Sequence, residues 1–429
     1  MQDATNHQQP SSQGGVPSAH TTDLGQAFCP LCPSHIANPY TFYARARQEE
    51  PVFFSPFLNA WVVTRYEDVI TALKDHRRFA MAMQQMGLEK FTPQVLALFS
   101  TNPLLQTPNL TVVDPPEHTR LRGCLTKALS VQRIARLEPH IRSIADQLID
   151  HILSWGRMDF VKDVAVPYPF QVIGSLLNVP EADMEQIQHW SEDYVTLQYA
   201  APPADQQLLY AQHVLSFMEY VQALAEERRR EPQDDLISDL FQATEAGLLA
   251  LSPLEVAGLL ATLILAGFET MVNFLANCLY HLLAERNQWE VMVADPSCIP
   301  QIVEESLRFD PPGLATMRVT TEAVVLGGKS IPQGAKVQVV HASASHDEAL
   351  FPDPETFQPS REQPTRHLAF GHGIHFCIGA PLARLESRVL LEQLCQRLPS
   401  LRLVPGQDVS YTPNLIFHGL KQVLVEWDV

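Results

Sequence analysis

A long apolar run in the second half of the chain most constrains how this sequence can fold. It follows Ser252-Pro253-Leu254-Glu255, in which serine and glutamate can exchange backbone hydrogen bonds and proline suits the first helical position. The run continues to about Arg286, so as a helix it would have roughly 35 residues and span on the order of 50 Å. The sequence therefore predicts a domain large enough to surround a helix of that length.

A membrane span is the first alternative for such a run. Its uninterrupted apolar part, Val256 to Phe268, covers only about thirteen residues before Glu269, which is too short to cross the hydrocarbon core. A charge at the centre of a spanning helix would also cost about 2.5–3.5 kcal/mol. A long helix buried in protein is the better interpretation.

Charge and composition exclude several classes of partner. The chain has 429 residues, of which 46% are hydrophobic, and a formal net charge of −18. Such an acidic surface repels nucleic acid and anionic lipid, so neither is expected as a partner. Residues 1–25 are rich in Gln, Ser, Thr, Gly and His and lack the apolar core of a secretion signal, which predicts a disordered arm before a single domain over residues 26–429.

The seven cysteines are an odd number scattered along the chain. That pattern argues against a disulfide framework and indicates a reducing cytoplasm. Cys29 and Cys32 form a Cys-x-x-Cys pair with His35 nearby, but no second pair follows at zinc-site spacing. We interpret them as loop thiols, with a weak metal site as the alternative.

The hydrophobic pattern indicates a mainly α protein with a minor β portion. A short helix over Asn38 to Glu50 and a hairpin with its turn around Leu58-Asn59 precede a mostly helical stretch from Tyr66 to about Val293. The remaining expected elements are short strands at Ala323 to Leu326 and Lys336 to Val340, a helix at Ala380 to Arg397, and a β-like tail at Asn414 to Trp427.

The segment Phe370 to Gly379, Phe-Gly-His-Gly-Ile-His-Phe-Cys-Ile-Gly, carries the most specific chemistry. Its glycines allow the backbone to approach a flat group closely. Cys377 stands just before a predicted helix, whose exposed amides and dipole should favour the thiolate. A thiolate can ligate iron. The plainer alternative is a buried structural cysteine in a tight turn.

This segment, followed by Ala380-Pro381-Leu382-Ala383-Arg384-Leu385-Glu386, resembles the haem-binding loop of the cytochrome P450 superfamily. The resemblance implies the P450 fold, with one long helix across the haem, and haem b bound through a bond from Cys377 to the iron. It implies further cofactor contacts within the loop, at Phe370, Gly371, His375 and Gly379.

A second segment, Ala266-Gly267-Phe268-Glu269-Thr270, lies in the middle of the apolar run. Gly267 costs about 1 kcal/mol of helix propensity relative to alanine, which makes sense where something lies against the helix. Thr270 can bond to a carbonyl one turn back. The segment resembles the family's oxygen-activating motif, which implies that Ala266 and Gly267 contact the cofactor and that Glu269 and Thr270 are catalytic and deliver protons. Taken alone, a Glu-Thr pair in a helix is usually just a polar patch whose hydrogen-bonding groups already have partners.

Two further sets of residues match the family. Glu305 and Arg308 form its Glu-x-x-Arg motif, and Arg361 closes the Phe-x-Pro-x-Arg segment that the motif usually binds; this network is structural rather than catalytic. The second set matches the positions that bind the haem propionates and comprises His118, Arg122, Arg318 and His375. Arginine can form two hydrogen bonds to one carboxylate, which suits a propionate. Each of these residues alone could instead be an ordinary surface cation.

The resemblance implies a bacterial, soluble, cytoplasmic and monomeric monooxygenase. It would insert one oxygen atom of O2 into a C–H or C=C bond of a small hydrophobic substrate, with electrons from NAD(P)H through ferredoxin reductase and a ferredoxin that docks near Arg122 and Arg384. Candidate substrate contacts are Leu314, Ile416 and Phe417, with the regions 81–105 and 194–199.

Two alternative functions remain. A peroxide-driven peroxygenase needs no proton relay, and the pair Glu269 and Thr270 argues against it. A non-enzymatic haem-thiolate protein that binds a ligand would show no substrate-dependent electron consumption.

Overall fold

The computed structural model describes residues 21–81, 91–200 and 202–429. In these ranges helices dominate and strands are short, so the expected mainly α fold with a minor β portion is confirmed. The helices are α1 (Asp23–Ala27), α2 (Pro33–Ala37), α3 (Tyr40–Glu49), α4 (Tyr66–Lys74), α5 (Pro93–Phe99), α6 (Glu117–Ala128), α7 (Val131–Ile152), α8 (Pro167–Leu176), α9 (Met184–Tyr199), α10 (Ala204–Arg230), α11 (Leu236–Glu245), α12 (Pro253–Ala284), α13 (Arg286–Ala294), α14 (Ile299–Phe309), α15 (His341–Ala344) and α16 (Ala380–Arg397). The strands are β1 (Val52–Ser55), β2 (Ala60–Val63), β3 (Phe79–Ala80), β4 (Arg157–Asp159), β5 (Thr316–Thr320), β6 (Val324–Leu326), β7 (Lys329–Ile331), β8 (Lys336–Val339), β9 (Arg402–Leu403) and β10 (Leu424–Glu426).

Helix α12 is the apolar run predicted from the sequence. Ser252 caps it, and Glu255 returns a hydrogen bond to the Ser252 backbone, as the sequence indicates. Its 32 residues correspond to about 48 Å. The helix is long and apolar enough to cross a membrane, but 72% of its most apolar window is buried inside the protein, where α8, α9, α10 and α14 pack against it. It is therefore a core helix.

A five-stranded sheet with the order β1-β2-β8-β5-β3 flanks the helical core. The hairpin of β1 and β2 pairs Val52 with Val63, as expected, and turns at Asn59 with a positive φ of 48°. β2 runs parallel to β8, and β5 runs antiparallel to it, with Arg318 opposite Val337. The sheet thus fixes the backbone that carries Arg318.

Some expected elements differ from those observed. The sequence analysis missed β5 and β7, and the β-like tail contains only β10 as a named strand. Helix α1 begins at Asp23 with Leu24 buried, so the predicted arm is wrong for its last residues; residues 1–20 lie outside the described ranges. The prediction of free thiols near the N-terminus is also wrong, because Cys29 and Cys32 form a disulfide.

Candidate active site

The cysteine loop is clamped between two helices. The amide of Cys377 donates to the carbonyl oxygen of Phe370 at 2.9 Å, and Gly379 is the N-cap of α16. Gly373 has a φ of +75°, and a Cβ there would lie 2.5 Å from the carbonyl oxygen of Leu73 at the end of α4. Glycine is therefore required at this position by both conformation and space.

The surroundings of the Cys377 sulfur affect its ionisation. Its side chain is exposed to solvent, yet protein surrounds the sulfur closely enough for burial to raise the pKa of the thiol above its usual value. The Gly379 amide and the charge of Arg122 oppose this effect without cancelling it. The amides at the helix start thus act in the predicted direction, and desolvation of the sulfur is the larger, opposing effect.

The middle of α12 presents an accessible face inside the protein. Ala266 is exposed and Thr270 is partly exposed, although the residues around them on the helix, such as Ile264 and Met271, are buried. The Thr270 hydroxyl donates to the carbonyl oxygen of Ala266 at 2.7 Å, the bond one turn back that the sequence predicts. Accessible small and polar groups on a core helix indicate that it borders an internal cleft.

Glu269 is placed to hold a proton. Burial raises the pKa of its carboxyl, and the charge of Glu192 on α9 adds to this, while a hydrogen bond from Asn273 acts in the opposite direction. Asn273 Nδ2 donates to Glu269 Oε1 at 3.1 Å. The sequence analysis missed Asn273, although its position four residues after Glu269 on one helix face was an available signal.

Gly267 packs closely against a neighbouring helix. A Cβ at this position would lie 3.4 Å from Ile173 Cδ1, so this side of α12 faces α8. The glycine therefore lies where two helices pack, one residue away from the accessible face that begins at Ala266.

Four cationic or imidazole side chains, contributed by α6, β5 and the cysteine loop itself, lie close together. The rings of His118 on α6 and His375 have centroids 4.2 Å apart. Burial, together with the nearby charges of His118, Arg318 and Arg122, lowers the pKa of His375 to about 3. Asp114, which the sequence analysis did not single out, lies with Oδ1 3.9 Å from His375 Nε2.

This cluster tests whether the chain suits haem. The Nε2 atoms of His118 and His375 are buried without a hydrogen-bond partner among the described residues, which is unusual for buried polar atoms. Burial lowers the pKa of Arg318 to about 10, and only Asp114 opposes this shift. Unpaired imidazoles beside buried arginines fit an anionic group such as the propionates of a porphyrin. Together with the exposed Cys377 and the accessible face of α12, these residues fit the group.

The Glu-x-x-Arg network has the expected partners. Glu305 accepts hydrogen bonds from Arg308 Nε and Nη2 at 2.8 Å each, and both side chains are fully buried. Arg361 Nε approaches Glu305 at 3.3 Å, Arg361 Nη2 donates to the carbonyl oxygens of Asp353 and Thr356, and Nη1 donates to that of Pro352. The network ties α14 to the segment before the cysteine loop.

Arg384 is less available for docking than expected. Its guanidinium forms two hydrogen bonds with Glu304, at 2.5 and 2.9 Å, and lies 4.6 Å from the centre of the Phe370 ring. The charge of Arg384 is therefore paired within the chain, so the predicted role in binding an electron donor is weakened.

The three candidate substrate contacts lie together. The Leu314 amide donates to the carbonyl oxygen of Ile416 at 2.7 Å, and the Phe417 ring lies 5.3 Å from that of Tyr199, the last residue of α9. Leu314 is buried, whereas Ile416 and Phe417 are partly exposed. Of the predicted 81–105 region, residues 82–90 lie outside the described ranges.

Comparisons with known proteins agree with this arrangement. The family model described as cytochrome P450 matches residues 52–419. The chain is similar to cytochrome P450 107B1 of Saccharopolyspora erythraea (37% identity, covering 89% of this chain and 93% of the relative) and to 6-deoxyerythronolide B hydroxylase of the same organism (35%, covering 91% and 96%). The solved structure of cytochrome P450 CREJ in complex with (4-ethylphenyl) dihydrogen phosphate has a TM-score of 0.89 at 30% identity, covering 94% of this chain and 100% of that one.

These similarities define the class of protein. The chain belongs to the cytochrome P450 family and is a P450 monooxygenase. Membership implies a haem-thiolate cofactor, the use of O2 and a redox partner.

Proposed function

We propose that this enzyme inserts one oxygen atom of O2 into a C–H or C=C bond of a small hydrophobic substrate, with electrons delivered by a separate ferredoxin and its NAD(P)H-dependent reductase. The observation that carries the proposal is the placement of Glu269 next to Thr270 in α12, with Thr270 on the accessible face of the helix and the Glu269 carboxyl enclosed by protein beside it. A carboxyl of raised pKa stands beside a hydroxyl bonded only to its own helix, at Ala266. An acid and a hydroxyl in that arrangement suit proton delivery.

Haem b is the proposed cofactor, with Cys377 as the iron ligand. His118, Arg122, Arg318 and His375 would hold the propionates, whose charge would compensate the buried cationic cluster. When bound, the haem-thiolate group supplies the reduction of O2 and cleavage of the O–O bond.

The protein's own part is to position groups, exclude water and move protons. Glu269 Oε1 is occupied by Asn273, which leaves Oε2 to carry the proton. Rotation of the Thr270 hydroxyl away from the Ala266 carbonyl would let it pass that proton into the cleft. Because burial raises the pKa of Glu269, the protonated acid is more populated near neutral pH than an ordinary carboxyl would be.

The substrate is proposed to lie against Leu314, Ile416 and Phe417. These side chains are apolar and come from two segments joined by a backbone hydrogen bond, so they form one wall. An apolar wall suits hydrophobic ligands such as terpenoids, fatty acids, steroids or polyketides. The relative named 6-deoxyerythronolide B hydroxylase makes 6-deoxyerythronolide B a reasonable first probe.

We further propose that the enzyme is cytoplasmic and monomeric. The ferredoxin would dock on the cysteine side, where Arg122 supplies positive charge that acts on Cys377. Arg384 is paired with Glu304 and Arg122 is also assigned to the propionates, so each predicted docking cation shares its charge with another group.

The first experiment is a carbon monoxide difference spectrum of the reduced protein, followed by a screen for ligands that shift the haem absorption. Cys377→Ala is expected to lose the thiolate-type spectrum. Retention of that spectrum and of oxidative turnover in this variant would refute the cofactor assignment.

The second experiment compares two threonines of α12. Thr262 makes the same bond as Thr270, to the carbonyl oxygen of Gly258 at 2.7 Å, but is buried and not beside an acid. With ferredoxin, reductase and NADPH, Thr270→Ala should form less product per NADPH consumed and release more peroxide, whereas Thr262→Ala should not. Faster turnover with peroxide alone would favour a peroxygenase, and ligand binding without extra NADPH consumption would favour a non-enzymatic role.

A further inference from the structure

Two histidines and an aspartate converge where α9 and α10 pack together, outside the site described above. His189 and Asp193 are four residues apart on one face of α9, and α10 brings His213 against them. One ligand atom from each of the three side chains lies within 4.8 Å of the others.

The three side chains share one oxygen atom. Asp193 Oδ2 forms a hydrogen bond with His213 Nδ1 and lies 3.5 Å from His189 Nε2, and the two imidazole rings have centroids 5.1 Å apart. Ligand atoms at about 2.1 Å from a tetrahedral zinc ion are about 3.4 Å from one another. The contact of His189 already has this spacing. That of His213 is a short hydrogen bond, so an ion can enter only if the two atoms move apart beyond hydrogen-bonding distance.

We propose that His189, Asp193 and His213 form a binding site for a divalent first-row transition metal ion, with zinc as the reference ion. Imidazole and carboxylate are ligands that such ions prefer. Asp193 is buried while the His189 side chain is 56% exposed, so the ion can enter from solvent and keep water as its remaining ligand. Binding displaces any proton between Asp193 and His213, since both imidazoles must offer a lone pair.

Zinc at this site would link the two helices beside the active site. Glu192, next to Asp193 on α9, raises the pKa of Glu269, and Tyr199 at the end of α9 contacts Phe417. About 9 Å of helix separates Asp193 from Tyr199. The inference concerns the fold of the chain and does not depend on the proposed reaction.

The test measures zinc binding by the full-length haem-loaded protein after treatment with a chelator. Isothermal titration with zinc chloride is expected to show one site that His189→Gln and His213→Gln each weaken by at least about tenfold. His151→Gln, which removes an exposed histidine from α7, is the matched control and should bind as the wild type does. This control accounts for general binding to surface histidines, and residues 1–20 are the same in every variant.

A second measurement separates a lost ligand from a damaged fold. Zinc should raise the unfolding temperature of the wild type and of His151→Gln, but not that of His189→Gln, whose side chain is mostly exposed and whose replacement should leave the fold intact. Absence of saturable zinc binding in the wild type, or equal zinc affinity in the wild type and His189→Gln, would overturn the proposal.

Discussion

Arg318 is where charge and burial conflict most clearly in the proposed cofactor site. Its side chain is 4% exposed, and its guanidinium donates to the carbonyl oxygen of Met317 at 2.8 Å and to Thr316 Oγ1 at 3.4 Å. Burial lowers the pKa of Arg318 from 12.5 to about 10, with only Asp114 acting in the opposite direction. At 1.36 kcal/mol per pH unit, this corresponds to about 3 kcal/mol.

The sign of this free energy decides the prediction for Arg318→Met. A base whose folded pKa is lowered destabilises the fold while it stays charged, and at pH 7 Arg318 is charged in both the folded and the unfolded chain. Removing the charge while keeping an apolar side chain should therefore raise the unfolding free energy of haem-free protein by up to about 3 kcal/mol. The same substitution should weaken haem binding roughly 10- to 100-fold, because a charge-assisted bond to a propionate contributes about 1.5–3 kcal/mol.

Two assays check these opposite effects. Urea unfolding of haem-free protein measures the stability change, and competition for haem with an apo-haem protein measures the affinity change. Arg120→Met is the matched control, because Arg120 pairs with Glu117 and Glu255 outside the cationic cluster and should leave haem affinity unchanged. If Arg318→Met destabilises the haem-free protein by several kcal/mol, the guanidinium is already well compensated and the reasoning is wrong.

Three other predictions test a buried ion pair, helix propensity and the titration of a buried histidine. Glu305→Gln should lower the unfolding free energy by about 3–5 kcal/mol, because it leaves buried guanidinium groups uncompensated. Glu49→Gln, in an exposed helical pair, should leave the unfolding free energy almost unchanged, and urea unfolding compares the two variants. Gly267→Ala should raise the unfolding temperature, because alanine gains up to about 1 kcal/mol of helix propensity over glycine. Its methyl group would lie 3.4 Å from Ile173 Cδ1, an ordinary contact, so the haem content should stay unchanged. Burial lowers the pKa of His418, but the Asp310 carboxylate outweighs burial, so the pKa of the folded protein lies above 6.5. The stability that His418 adds is therefore fully present below pH 6.5 and is lost as the pH rises through the folded pKa. The stability difference between wild type and His418→Gln should therefore be larger at pH 6 than at pH 9, and the opposite order would contradict the assignment.

Features specified by neighbouring residues were predictable from the sequence. The capping box of Ser252 and Glu255, the start of α16 after Gly379 and the bond from Thr270 to Ala266 each involve residues within four positions of one another. Their geometry follows from helix periodicity and hydrogen-bonding chemistry alone.

Features specified by distant packing were not predictable in the same way. The sequence does not show that Glu304 neutralises Arg384, because these residues are 80 positions apart and meet only when α14 and α16 pack. It also does not show that Gly267 faces Ile173 of α8, since every glycine in a helix has the same local signal.

Cys377 shows how tertiary burial can reverse a local electrostatic rule. The amides at the start of α16 lower the pKa of the thiol, as the sequence predicts, but enclosure of the sulfur raises it by more. The helix start therefore does not by itself offset the desolvation of the thiol. A haem iron held by Cys377 would favour the thiolate, and the Gly379 amide and the charge of Arg122 would act in the same direction.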